Sequence, residues 1–461
     1  MGFWAKIIEP KKQRVDHSKL MFTNQQLKAL LVPLIFEQIL NMMVGMADTA
    51  MVSHAGELAV SGVSLVDMLN GVFIYLFGAL ATGGAVVVSQ LLGHGDETLV
   101  KRASSQLISA SAVFGTILMA AILVGNRSLL RLLYGQVDEG VMNAALTYLV
   151  ITVFSLPFIA VYNAAAALFR SMGNSKITMI VSVLMNGINI VGNAIGIFIL
   201  HADVVGVALA SVVSRIVAAV VLFTLLTDTR RRISVRLKDI FSFDGKLLKK
   251  ILSIAIPNGV ESGLFQICRV TMTSIIATFG TAQIAANGVA CSIDNINTII
   301  NSAATLAIPA VIGRCVGAND YDQADYYLRK ILRIAAVFSA ILCTCLMASM
   351  PLIMKAYRLS DEAARYVYIL VFFHALLTIV MGWPSGPFPA ALRAAGDVRF
   401  SMYVSIVALV FGRVFFSYVF AVWMGFEIVG MWMAMATHWS INALGAYLHY
   451  RNGKWKTFRV I

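Results

Sequence analysis

The sequence predicts an all-α polytopic membrane protein of twelve transmembrane helices in two six-helix bundles. Three observations predict it: an apolar composition, twelve runs long enough to cross a bilayer, and an internal repeat that halves the chain. Of 461 residues, 59% are hydrophobic and 13% charged, against about 45–50% and about 25% in soluble domains. Mean hydropathy is +0.81.

About 20 apolar residues cross a bilayer. With Gly, Pro and charge clusters as punctuation, such runs fall at 29–53, 60–91, 106–125, 141–168, 177–199, 205–227, 251–278, 284–313, 334–354, 366–391, 400–424 and 428–449. The second and eighth are long enough to tilt, bend or leave the hydrocarbon. Twelve spans put both termini on one side. With that side inside, the inner segments carry 28 Lys and Arg and the outer loops 5. The positive-inside rule then makes the termini cytosolic. It also places the net charge of +13 in loops flanking the spans, so no nucleic-acid partner is needed to explain it.

This divides the chain into a cytosolic N-terminal segment (1–28), an N-terminal bundle (29–227), a cytosolic basic linker (228–250), a C-terminal bundle (251–449) and a cytosolic tail (450–461). The first twenty residues, MGFWAKIIEPKKQRVDHSKL, lack the apolar core of a signal peptide and read as an amphipathic lead-in. The linker run RRRISVRLKDIFSFDGKLLKK (230–250) reads as a positive-inside anchor, or as a binder of lipid headgroups. Cys268, Cys291, Cys315, Cys343 and Cys345 make no CxxC pair and no Cys/His metal spacing. They read as small apolar fillers in a reduced chain.

The repeat has an offset of about 224 residues. Pro33-x3-Glu37 recurs as Pro257-x3-Glu261, GELAV (56–60) faces GTAQI (280–284), and Gly93 matches Gly317. FRSMGNSK (169–176) matches LRAAGDVR (392–399), and VGVALA (205–210) matches VGMWMA (429–434). Six spans per half make both halves enter the membrane in the same sense. The expected symmetry is a pseudo-two-fold along the membrane normal with a cavity between the halves. Parallel repeats of this kind are a transporter device.

Ionisable residues inside spans are costly and are functional candidates by default. The first span carries Glu37, Asn41 and Asp48. On a helix, Asn41 lies about 40° and Asp48 about 20° from Glu37 around the axis, with roughly 16 Å of rise between the two acids. The fifth span carries Asn186, Asn189 and Asn193 within about 60° of one face. Their amides can hold a carboxyl proton, ligate Na⁺, or serve as interhelical glue, and Gly187, Gly192 and Gly196 permit close helix approach. Glu261 and Arg269 in span seven lie about 80° apart and are not a direct pair. Asp67 and Asp294 sit in the related stretches GVSLVDMLN and GVACSIDNIN. Arg215 and Arg413 are candidate counter-ions. His374 and His438 are either proton carriers or hydrogen-bonded packing residues. WPSGPFPAALRAAG (383–396) carries three prolines that break or bend span ten, as a hinge or as a loop entry. The 22 Met suit an adaptable cavity wall or plain gap filling.

GMADTAMV in span one, the loop motifs FRSMGNSK and LRAAGDVR, GINIVGN in span five and the two six-span halves together resemble the multidrug and toxic compound extrusion (MATE) family over nearly the whole chain. The likeness is closer to the DNA-damage-inducible-F-like and Firmicute-type branch than to the NorM branch. The resemblance implies a bacterial cytoplasmic-membrane antiporter, working as a monomer without an organic cofactor. It would export small amphipathic, often cationic drugs driven by inward H⁺ or Na⁺ flow. It makes Asp48 the coupling-ion residue, with Asn163, Asn189, Asn193 and Ser211 as partners and a Na⁺ site at Asp48, Asn189 and Asn193 as one form of the coupling. A family position that is often Asp is Asn193 here, one acid fewer. A NorM-type second site lacks its span-ten acid, with Gly382 near that place. The substrate cavity is expected to draw on Glu37, Asn41, Glu261, Asp67, Asp294 and Arg269.

Two rivals are weighed. A lipid-linked oligosaccharide flippase of the same superfamily tends to have more spans and an arginine-lined cavity. An intramembrane prenyl or acyl transferase needs clustered Asp or a His/Asp pair at a loop, and no DDxxD motif is present. The reading is therefore a transporter, not an enzyme.

Overall fold

The computed structural model describes residues 19–460 except 53, 55, 136, 229, 241, 358 and 459. The described residues are helical with short turns. In chain order the spans are α1 (Asn24–Val52), α2 (Glu57–His94), α3 (Glu97–Tyr134), α4 (Glu139–Val153 and Leu156–Ser171), α5 (Ser175–Ile199) and α6 (Asp203–Leu226). Then come α7 (Gly245–Ile276), α8 (Thr281–Gly317), α9 (Tyr321–Ala356), α10 (Asp361–Ala395), α11 (Val398–Trp423) and α12 (Glu427–Arg451). By length and composition ten of these can cross a bilayer, and α4 makes an eleventh although it bends by 52° at Phe154–Ser155. The expected twelfth run is fully helical as α12, but its Thr437, His438, Ser440 and Asn442 dilute its apolar character.

The chain forms two compact units. One is Gln25–Gly259; the other is Val260–Ile461 together with the segment that ends at Asn24. Three departures from the sequence division follow. The stretch after α6 is folded onto the N-terminal unit: Ile233 and Val235 are buried, and Ser109 Oγ on α3 donates to the Ile240 carbonyl at 2.6 Å. The first half of α7 also belongs to that unit, because Gly83 on α2 lets the Ile251–Ala255 backbone approach closely. Likewise, residues before α1 are held by α9. Phe22 N donates to Tyr327 Oη, and Tyr327 Oη donates to Phe22 O, both at 2.8 Å. Lys330 Nζ donates to Asn24 Oδ1 at 2.7 Å.

The repeat is written into backbone conformation. Gly56 and Gly280 open α2 and α8 at φ of 100° and 98°, values that an L side chain reaches only under strain. Gly173 and Gly396 close the two related loops at 81° and 104°. Even the non-glycine pairs recur: Asp203 and Glu427 start α6 and α12 at 42° and 48°.

In α10 the prolines make neither a loop nor a single sharp hinge. The helix loosens into a wide π-type turn at Thr378–Gly382, breaks at Gly386 and resumes as Pro387–Ala395. Wide turns also occur at Ile195–Ile199 and Tyr418–Trp423, one repeat offset apart. The filler reading of the cysteines fits Cys268, Cys315 and Cys343, which are buried; Cys291 and Cys345 are exposed, and all five are free thiols.

Where α5 meets α6 the backbones nearly touch: a Cβ on Gly206 would sit 2.7 Å from the Gly196 Cα. Gly206→Val should destabilise the N-terminal bundle by about 1–3 kcal/mol through overpacking, read as a fall of several degrees in the melting temperature of the detergent-solubilised protein. Gly187→Ala, where a Cβ meets open space, should leave it unchanged.

Candidate ion-coupling site

Within the N-terminal unit, α1 and α5 meet along their polar stripes. At one level Asn186 Nδ2 and Ser182 Oγ both donate to Asn41 Oδ1 at 3.2 Å. About two turns on, Asn193 Nδ2 donates to Asp48 Oδ1 at 2.9 Å. Asp48 is half-buried, Asn193 wholly buried, and Asn189 and Ser211 nearly so. Asn189 and Asn193 converge on one carboxylate because residue spacing gives α1 and α5 each one narrow polar face, and Ser211 on α6 backs Asn189.

Asn189 is the pivot. With its amide nitrogen toward Asp48, it donates to the two carboxylate oxygens at 3.0 and 2.9 Å while its oxygen accepts from Ser211 Oγ at 3.2 Å. That pattern suits an anionic Asp48. With its oxygen toward Asp48, the same short separation suits a protonated carboxyl donating to the amide, and Asn189 Nδ2 then donates to Ser211 Oγ at 3.2 Å. One amide rotation thus matches the site to either protonation state. Among the described residues Asn193 Oδ1 is buried without a hydrogen-bond partner.

Asn163 is not part of this group by its hydrogen bonding: its Nδ2 donates to the backbone carbonyl of Ile159 at 2.9 Å. Glu37 is buried beneath the stripe. It accepts from Thr178 Oγ1 at 3.0 Å and faces Arg170 at 3.8 Å. Asp67 accepts from Asn70 at 3.4 Å and from Tyr148 Oη at 3.3 Å. Arg215 Nη1 donates to Ser155 Oγ at 2.8 Å.

The C-terminal unit repeats the frame with other chemistry. Glu261 faces Arg393 at 3.1 Å, and Arg393 also donates to Ser401 Oγ at 3.3 Å. This is the counterpart of Glu37, Arg170 and Thr178. Asp294 accepts from Asn297 at 3.3 Å and lies against fully buried His374, whose ring is edge-on to Trp432 and Trp439. His438 is buried with Nδ1 unpartnered, and Arg269 is exposed. At the place of Asp48 stands Met272, and Ser417 takes the place of Asn193, its hydroxyl 3.2 Å from the Met272 sulfur. The constellation of Asp48, Asn189 and Asn193 is therefore confined to one half. Among the described residues no three His, Cys, Asp or Glu side chains cluster as a metal site.

The arginines opposite Glu37 and Glu261 were not singled out in the sequence. The signal was there: Arg170 and Arg393 belong to the loop motifs FRSMGNSK and LRAAGDVR, which repeat at the same offset as Pro-x3-Glu.

Comparison with known proteins bears on this frame directly. The family model MatE matches residues 33–195 and again 257–419, two stretches separated by the repeat offset found in the sequence. The chain belongs to the MatE family. Among MatE relatives it is 25% identical over 432 residues to YisQ of Bacillus subtilis (strain 168), an uncharacterized transporter, covering 92% of this chain and 93% of that protein. It is 22% identical over 396 residues to the multidrug export protein MepA of Staphylococcus aureus (strain N315), covering 84% of each. Among solved MatE structures, the outward-facing conformation of a multidrug resistance MATE family transporter of the MOP superfamily superposes with a TM-score of 0.87. That likeness covers 94% of this chain and 96% of the other at 20% identity, and shows the shared fold. The protein is thus a membrane transporter of the MatE family, with multidrug exporters among its relatives.

Proposed function

We propose that this MatE protein exports small amphipathic organic cations across the bacterial cytoplasmic membrane, with cytosolic termini, in exchange for protons. One observation carries the proton reading. Asp48 meets an amide, Asn189, that can rotate to donate to the anion or accept from the acid. The amides of Asn189 and Asn193 supply no fixed positive charge, so these partners suit either form of the carboxyl. Protonation from outside would reverse the Asn189–Ser211 hydrogen bond, which joins α5 to α6, and so shift the packing of the bundle. Alternating access follows if that shift biases the two ends of the transport path oppositely. Glu37 and Glu261, each set against an arginine, would hold their bundles together rather than draw in the cation. Asn41, Asp67 and Asp294 remain candidates for the cavity.

Na⁺ is a second reading, favoured by the unpartnered Asn193 carbonyl oxygen. A hard cation takes such oxygens together with a carboxylate. Cells that express the protein and lack their own exporters test the reading. They should extrude a lipophilic cationic dye such as ethidium, and a protonophore should abolish the extrusion. Extrusion that survives the protonophore and follows a Na⁺ gradient would favour the second reading; no extrusion of any organic cation would overturn the first.

A further inference from the structure

The C-terminal unit has a cavity that the proposed coupling does not use. It has a volume of about 500 Å³ and lies between the start of α9, the proline-rich part of α10 and the end of α12. That size is in the range that holds a small molecule. One wall is aromatic. Phe388 sits edge-on to Tyr447 and tilted against Tyr450, and Tyr450 stacks on Trp455 at 5.2 Å and 12°. The other wall is basic: Arg329, Arg333, Arg451 and Lys456 face the space, with Asp325 the one acid among the described lining residues. Asp325 pairs with Arg329 at 3.0 Å, so one lining acid meets four lining bases. Inside, the Tyr450 hydroxyl is buried with no hydrogen-bond partner among the described residues, and a buried donor without an acceptor is costly unless a ligand supplies one.

We infer that this cavity binds the phosphate headgroup of an anionic phospholipid. The end of α12 and the start of α9 lie on the side the positive-inside count makes cytosolic, where the leaflet is negative and basic pockets between helices hold anionic headgroups. Arginines suit the phosphate oxygens by their forked donors. Tyr and Trp suit the boundary between headgroup and acyl chain. The Tyr450 hydroxyl donates to the phosphodiester, and the exposed Tyr447 ring lies along the first methylenes. The inference borrows only its sidedness from the proposed function, and needs no transport.

Lipid retention by the full-length purified protein tests it. The protein is extracted in mild detergent, exposed to equal amounts of phosphatidylglycerol and phosphatidylcholine, and read by native mass spectrometry. The wild type should retain phosphatidylglycerol preferentially. Arg333→Gln with Arg451→Gln should lower that retention roughly tenfold or more, since each basic group near an anionic headgroup contributes measurably. Tyr450→Phe, which keeps the ring stack, should lower it by a smaller factor. Arg127→Gln with Arg131→Gln, both exposed at the far end of α3, removes the same charge from the N-terminal unit and should leave it intact. A short-chain anionic lipid should displace the bound lipid at concentrations where inorganic phosphate does not; displacement by phosphate alone would assign the site to free anions. Equal retention of the two lipids by the wild type, or equal losses in the two double variants, would overturn the inference. None of these outcomes depends on whether the protein exports cations.

Discussion

Replacing Asp48 by asparagine abolishes export while leaving the protein folded and in the membrane. The expected phenotype is a dye accumulation equal to that of cells lacking the transporter, at normal expression and unchanged melting temperature. The physical reason is specific to the site. The substituted amide would still accept from Asn193, so the α1–α5 contact at 2.9 Å survives, but an amide cannot take up a proton. Asn189 would lose the alternation between donating and accepting that the carboxyl imposes. Asn189→Leu should be as inactive and also less stable, because it strips Ser211 of its partner. Asn163→Ala should retain much of the export, since among the described residues Asn163 bonds to a backbone carbonyl of its own helix and not to Asp48. Export by Asp48→Asn comparable to the wild type would remove Asp48 from the mechanism.

The largest stability effect is expected at Arg393. Its side chain is 10% exposed and that of its partner Glu261 19% exposed. Arg393→Ala leaves the Glu261 carboxylate inside the C-terminal bundle without its counter-charge. Breaking a buried pair from one side costs about 3–5 kcal/mol; with partial solvent access at Glu261, about 2–3 kcal/mol is the appropriate scale. Glu261→Gln with Arg393→Gln should recover most of the loss, because two neutral amides can bond to each other and to Ser401. Thermal unfolding followed by an exposed-thiol dye would distinguish a double variant restored in this way from one as unstable as Arg393→Ala. The second outcome would show that Arg393 acts through packing and not through charge. The repeat predicts a parallel at Arg170, tempered because Glu37 there keeps the hydroxyl of Thr178 at 3.0 Å.

Much of the frame was legible because membrane spans obey strong constraints. Backbone groups in hydrocarbon must bond within a helix, so apolar runs in the sequence mark all twelve helices. Only the polar residues of α12 blur the count. The bend of α4 at Phe154–Ser155 has its signal in Pro157, which opens the second half of the helix and has no N–H to give to the carbonyl four residues back. The meeting of Asp48, Asn189 and Asn193 was readable because angular position on a helix is fixed by residue count. Which helix pairs touch is not fixed in that way. This is why the partners of Glu37 and Glu261 emerged only from the fold, as arginines more than 130 residues away in sequence. The tertiary placement of 228–250 was equally hidden. Its eight basic residues read as a positive-inside anchor or a headgroup binder, while Ile233, Val235 and Leu247 supply the buried contacts. The asymmetry of the two halves was legible from Met272 standing where Asp48 would be, and Ser417 at the place of Asn193 completes it.

The most direct measurement is substrate-driven proton movement in vesicles that hold the purified protein and no Na⁺. Imposing a gradient of a lipophilic cation substrate across the membrane should drive protons the opposite way, seen by a trapped pH-sensitive dye. The movement should vanish in Asp48→Asn and be unaffected by adding Na⁺ to both sides. Proton movement of equal size in Asp48→Asn, or movement that appears only when Na⁺ is supplied, would contradict proton coupling at Asp48.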